Sequence, residues 1–109
     1  MRFEEVVRVT KRAVLNNINE SVRVIANRVL FELMKYCVEN YVISNEPALV
    51  ELVGIMFDTG LFERVETFAV GYRGGHKLLT TIGMVGSRAA IIVGWPGEWY
   101  AIILKFCRG

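Results

Sequence analysis

The sequence predicts an α+β fold in which three N-terminal helices pack on one face of a four-stranded antiparallel β-meander. Two observations carry this expectation. Apolar residues recur at helical spacing up to about residue 60, and from Phe62 the period changes to two. Three turn signals, Gly74-Gly75, Gly86-Ser87 and Pro96-Gly97, then divide the alternating part into four runs. No repeat, linker or low-complexity stretch interrupts the chain, so one domain is expected over residues 1–109.

The first helix is expected at about residues 3–18, with Phe3, Val6, Val7, Ala13, Val14 and Ile18 forming its apolar stripe. Glu4 and Arg8 add a favourable i,i+4 pair on its wet side. Asn19 or Ser21 offers the cap for a second helix at about 20–40. Its stripe runs through Val22, Ile25, Ala26, Val29, Leu33, Tyr36 and Cys37, and is widened by Leu30, Met34 and Tyr41. Arg28, Glu32, Lys35 and Glu39 read as its solvated ridge. Ser44-Asn45-Glu46-Pro47 starts a third helix at about 46–59, because proline suits the first turn, where no N–H is needed. Leu49, Leu52, Val53, Met56 and Phe57 should point inward, and Gly60 should end the helix in the left-handed conformation.

Strands follow at about 63–72, 76–85, 88–95 and 98–107. Two-residue loops would set Arg73 opposite His76 and Val85 opposite Arg88, and opposed residues share a face. One face then holds Ala69, Leu78, Thr80, Ile82, Met84, Ala89, Ile91 and Val93, an apolar set that should meet the helices. The second face holds Phe68, Val70, Tyr72, Lys77, Leu79, Thr81, Gly83, Val85, Arg88, Ala90, Ile92 and Gly94. An unshifted third turn adds Trp99, Ala101, Ile103 and Lys105 to it; a bulge would add Tyr100, Ile102, Leu104 and Phe106 instead.

That second face is too apolar to be left in water, whereas a sheet covered on one side only should alternate cleanly. The leading expectation is a homodimer built sheet on sheet. The competing arrangement sends one helix across to close a monomeric sandwich. A third reading is single-stranded nucleic acid on the same face, with Phe68, Tyr72 and Trp99 stacking bases while Lys77, Arg88 and Lys105 hold phosphate. The basic first helix (Arg8, Lys11, Arg12, followed by Arg23) is an alternative route to nucleic acid.

Composition excludes several classes. Apolar letters make up 53% of the 109 residues even before the 10 glycines are counted, against roughly 45–50% with glycine included in ordinary domains. Intrinsic disorder is thereby excluded. The longest apolar run, Ala89–Trp95, is too short to span a bilayer, and no secretory signal precedes it, so a cytoplasmic protein without a membrane partner is expected. The absence of glutamine and the 10 glutamates to one aspartate fit a thermophilic source, although asparagine is not depleted. Net charge is +2, with the bases gathered in residues 1–28 and 67–109 and an acidic stretch between them.

Candidate chemistry is thin, and the sequence points away from an enzyme. Cys37 and Cys107 read as small buried hydrophobes, with a bridge between them as the thermophile-specific alternative. One histidine and two cysteines without CxxC spacing make no zinc site, and no cofactor is expected. Cys107 and His76 would form a nucleophile–base pair only if the fold joined a hairpin tip to the last strand. Gly83-Met84-Val85-Gly86 lacks the base and context of a KH loop, and Gly71–Gly75 lacks those of a phosphate loop. A winged helix would read DNA with the third helix, which carries Glu46, Glu51 and Asp58 but no base. The expected function is a non-enzymatic binding or assembly module that self-associates through its free sheet face, with nucleic-acid binding as the alternative.

Overall fold

The computed structural model describes residues 1–108. Its elements are helix α1 (Phe3–Asn16), helix α2 (Val22–Leu33), strand β1 (Val38–Ser44), helix α3 (Pro47–Asp58), strand β2 (Arg64–Gly71), a 3₁₀ turn (Arg73–Gly75), and strands β3 (Lys77–Val85), β4 (Arg88–Trp95) and β5 (Glu98–Phe106). All strand pairs are antiparallel, in the order β1-β5-β4-β3-β2. The α+β class is as expected. The sheet, however, has five strands rather than four, and one of them comes from the segment expected to extend the second helix.

α1 buries Phe3, Val6, Val9, Thr10, Ala13 and Val14, one helical stripe against α2 and the sheet. Glu4 and Glu5 occupy its first turn, where the helix dipole favours negative charge. Ser21 caps α2 as anticipated, its Oγ accepting from the Val24 amide at 3.2 Å. α2 stops at Leu33 because Tyr36–Ile43 is rich in aromatic and β-branched residues (Tyr36, Val38, Tyr41, Val42, Ile43), which fit a pleated surface better than a helix. Tyr36, Cys37 and Tyr41 happen to fall on the helical stripe. The alternation that would have exposed β1 is broken by a register shift between Val38 and Asn40.

β1 runs beside β5, and the two are fastened where they start and end by a Cys37–Cys107 disulfide with 5.4 Å between Cα atoms. The Cys107 amide also donates to the Cys37 carbonyl at 2.9 Å. The buried-thiol reading is therefore corrected: Cys37 is exposed, and both sulfurs are bonded to each other.

The β3–β4 register is as expected, with Val85 opposite Arg88. The Pro96-Gly97 turn inserts no bulge, so Arg88 faces Lys105 and Trp99, Ala101, Ile103 and Lys105 lie on the second face. The β2–β3 connection differs. Gly71, not Tyr72, pairs with Lys77, and the loop is the three residues Arg73–Gly75 closed by the Tyr72 amide donating to the His76 carbonyl at 2.8 Å. Gly74 and Gly75 both adopt positive φ, which glycine reaches without steric cost. One added loop residue turns every β2 side chain over. Phe68, Val70 and Tyr72 thus face α1 and α2, while Val65, Thr67 and Ala69 lie on the second face.

The main core lies between the α1/α2 layer and the sheet, around Leu78, Ile82, Ile91, Val93, Ile102, Leu104 and Phe106. α3 does not join it. It crosses to the opposite face and packs on Ala90 and Ala101 through Val53. The sandwich with one crossing helix, rather than three helices on one side, is the arrangement adopted. No helix among the described residues is long and apolar enough to cross a membrane.

Two hydroxyls in the main layer, Thr10 Oγ1 and Thr80 Oγ1, are buried without a hydrogen-bond partner. An unpaired buried hydroxyl costs about 1–3 kcal/mol, and valine has nearly the same shape. Thr80→Val is expected to raise stability by about 1 kcal/mol. A urea melt checks it, and a lower midpoint would show that the hydroxyl has a partner.

Candidate functional site

The second face is a grid of short side chains flanked by longer ones. Gly83 pairs with Ala90, and Ala101 pairs with Ile92, so small residues gather under α3. They let the helix come close to the sheet. A Cβ on Gly83 would lie 2.6 Å from Phe57 Cε1 and 2.7 Å from Phe62 Cγ. Those two rings stack at 4.7 Å between centroids and seal the end of α3 over the sheet. Pro47 starts the helix, Ser44 Oγ accepts from the Glu46 amide at 3.0 Å, and Gly60 takes over beyond Thr59 with φ +73°.

One helix cannot cover five strands, and α3 leaves two openings on either side of itself. The larger, of about 480 Å³, is lined by Val50, Gly54, Phe57 and Asp58 of α3 and by Val65, Thr67, Leu79, Thr81, Ile92 and Trp99 of the sheet. It is predominantly apolar. The smaller, of about 250 Å³, is lined by Asn40, Tyr41, Val42, Arg88, Ile103, Leu104 and Lys105. Lys105 Nζ is 3.3 Å from Glu39 Oε2, whereas Arg88 and Lys77 are in no ion pair among the described residues.

The six residues singled out from the sequence are thus separated into three places. Phe68 and Tyr72 lie on the helix-packed face, which corrects their expected face. Phe68 packs beneath Lys11, whose Nζ is 5.5 Å from the ring centroid. Tyr72 meets Trp95 edge-on at 4.3 Å, and its hydroxyl donates to the Glu20 carbonyl in the α1–α2 loop. Arg73 Nη2 reinforces that tie by donating to the Asn19 carbonyl at 2.6 Å. Trp99 lines the larger opening, and Lys77 is exposed on the same face at the start of β3. Arg88 and Lys105 are neighbours in the smaller opening on the other side of α3.

Sequence reasoning missed the exposed side of α3. Leu52, Ile55 and nearby Leu61 are 52%, 50% and 58% exposed, so Leu52 does not point inward as the helical spacing predicts. The signal was available: Pro47–Asp58 contains only Glu51 and Asp58 as charged residues, so apolar side chains surround the helix. Such a helix normally has protein on all sides.

His76 is an exposed turn residue with its ring 5.1 Å from Trp95, and the Cys107 sulfur is held in the disulfide. No group of three or more His, Cys, Asp or Glu that could hold a metal occurs among the described residues. Compared with protein-family models, curated proteins and solved structures, the chain matches none. The functional reading therefore rests on the shape and chemistry of this surface.

Proposed function

We propose that this chain is a non-enzymatic assembly module that pairs with a second copy of itself through the outward side of α3 and the apolar opening beside it. The observation that carries the reading is a helix with Leu52 and Ile55 half-exposed on one side, next to a groove lined by Val65, Leu79, Ile92 and Trp99. Ridge and groove lie side by side on one face. A two-fold axis lets each copy seat its ridge in the groove of the other, satisfying the self-complementarity an isologous interface needs. Each sheet then receives the second covering helix that its own chain does not supply.

Charge supports a copy of the same chain as the occupant. α3 and its start carry Glu46, Glu51 and Asp58 without a base, and Lys77 on the same face is in no ion pair among the described residues. Opposite charges on the two elements favour their meeting across the axis. The sheet-on-sheet form expected from the sequence is replaced by a helix-in-groove form, because α3 occupies the middle of the face.

Light scattering at micromolar concentration is expected to give twice 12.4 kDa for the native chain. The exposed double substitution Leu52→Asp, Ile55→Asp should give a monomer with an unchanged fold by circular dichroism. Val65→Asp, on the groove side, should do the same. A native chain that stays monomeric at about 100 µM, a concentration at which even a weak specific dimer with Kd in the micromolar range would form, would sink the proposal.

A further inference from the structure

The molecule has a second unexplained surface, on the layer opposite α3. Two shallow grooves run along the outer side of α1 and α2. The first, of about 200 Å³, is lined by Arg12, Asn16, Asn17, Arg28 and Glu32 with Ala13. The second, of about 450 Å³, is lined by Arg23, Asn27, Arg28 and Phe31 with Val24. Arg28 borders both, so Arg12, Arg28 and Arg23 form one continuous basic track, and Arg8 extends it by a helical turn from Arg12. These arginines are exposed, and none is in an ion pair among the described residues. The one acid in the track, Glu32, is held by Lys35 at 3.0 Å. The positive charge is therefore left uncompensated.

From this we infer that the α1/α2 track binds single-stranded nucleic acid. Guanidinium groups suit phosphate because they present planar, bidentate donors. Phe31, 57% exposed in the groove beside Arg28 and with Lys35 Nζ 5.6 Å from its ring centroid, offers an aromatic face on which an unpaired base can stack once that flexible side chain swings aside. Asn16 and Asn27 add polar side chains to the lining of the two grooves. The Asn27 Nδ2 donates to the Arg23 carbonyl at 2.8 Å, which orients that amide and leaves its oxygen as an acceptor. Duplex nucleic acid has no use for the aromatic. An anionic membrane would need an apolar wedge, which one phenylalanine does not make.

The surface is independent of α3, so its test does not depend on self-association. Anisotropy of a labelled oligothymidylate of about 20 nucleotides is expected to show binding that weakens roughly 20- to 50-fold between about 50 and 200 mM salt, as three or four phosphate contacts require. Arg28→Glu should weaken binding at least about tenfold and flatten the salt slope. Phe31→Ala should weaken it about tenfold with the slope unchanged, because stacking releases no counterions. Arg88→Glu, on the sheet face away from this track and outside the groove used for self-association, should bind like the native chain. Absence of binding at low salt, equal binding by Arg28→Glu, tighter binding of a duplex of the same length, or capture by anionic vesicles without oligonucleotide binding would each overturn the inference.

Discussion

Replacing Cys37 and Cys107 together by serine is expected to lower stability by about 4 kcal/mol. The bridge joins residues 70 positions apart, and the chain-entropy cost it removes from the unfolded state grows with the logarithm of that loop. It also acts where the sheet is weakest. β1 is an edge strand hydrogen-bonded to β5 on one side only, and its register is already interrupted beside Cys37. For a domain of this size the melting midpoint should fall by roughly 15–25 °C. Cys37 is exposed, so a phosphine reductant should reach the bridge in the folded protein and give the same shift. Oxidised, reduced and double-serine samples that melt within a few degrees of one another would refute the account.

Gly83→Val should destabilise the protein by about 3 kcal/mol, near the upper end for overpacking, even though valine is the better strand former. The new side chain would have to displace Phe57 and Phe62 together, because each lies under 3 Å from the position of its Cβ and the two rings pack on each other. Moving them lifts the end of α3 from Ala90 and Ala101. The substitution should therefore also alter the environment of Trp99 in the adjoining groove, seen as a change in near-ultraviolet circular dichroism, and weaken self-association. A native melting curve with native tryptophan signals would mean that the helix does not sit against Gly83.

These effects trace features that the sequence displayed unevenly. The two-residue turns at Gly86-Ser87 and Pro96-Gly97 constrain register locally, so the faces of β3, β4 and β5 were readable residue by residue. The loop at Gly74-Gly75 contains the same letters in a longer turn. Glycine permits both, and that single residue reversed Phe68 and Tyr72. β1 was lost for another reason: its partner is the last strand, and no local signal reports a pairing across some sixty intervening residues. The excess of apolar residues on the second face was visible. The run of small residues Gly83, Ala90 and Ala101, which identifies the seat of a helix, was visible as well, but it acquires that meaning only once α3 is known to cross.

Strand β5 lies between β1 and β4 although it is the final strand of the chain. During synthesis, α1, α2 and β1 emerge first and find no platform to settle on. β2, β3 and β4 can pair with their neighbours as they appear and give α1 and α2 a first surface to pack on, but β1 has no strand to pair with until β5 follows. Such late closure of distant contacts slows folding and prolongs the exposure of oily segments.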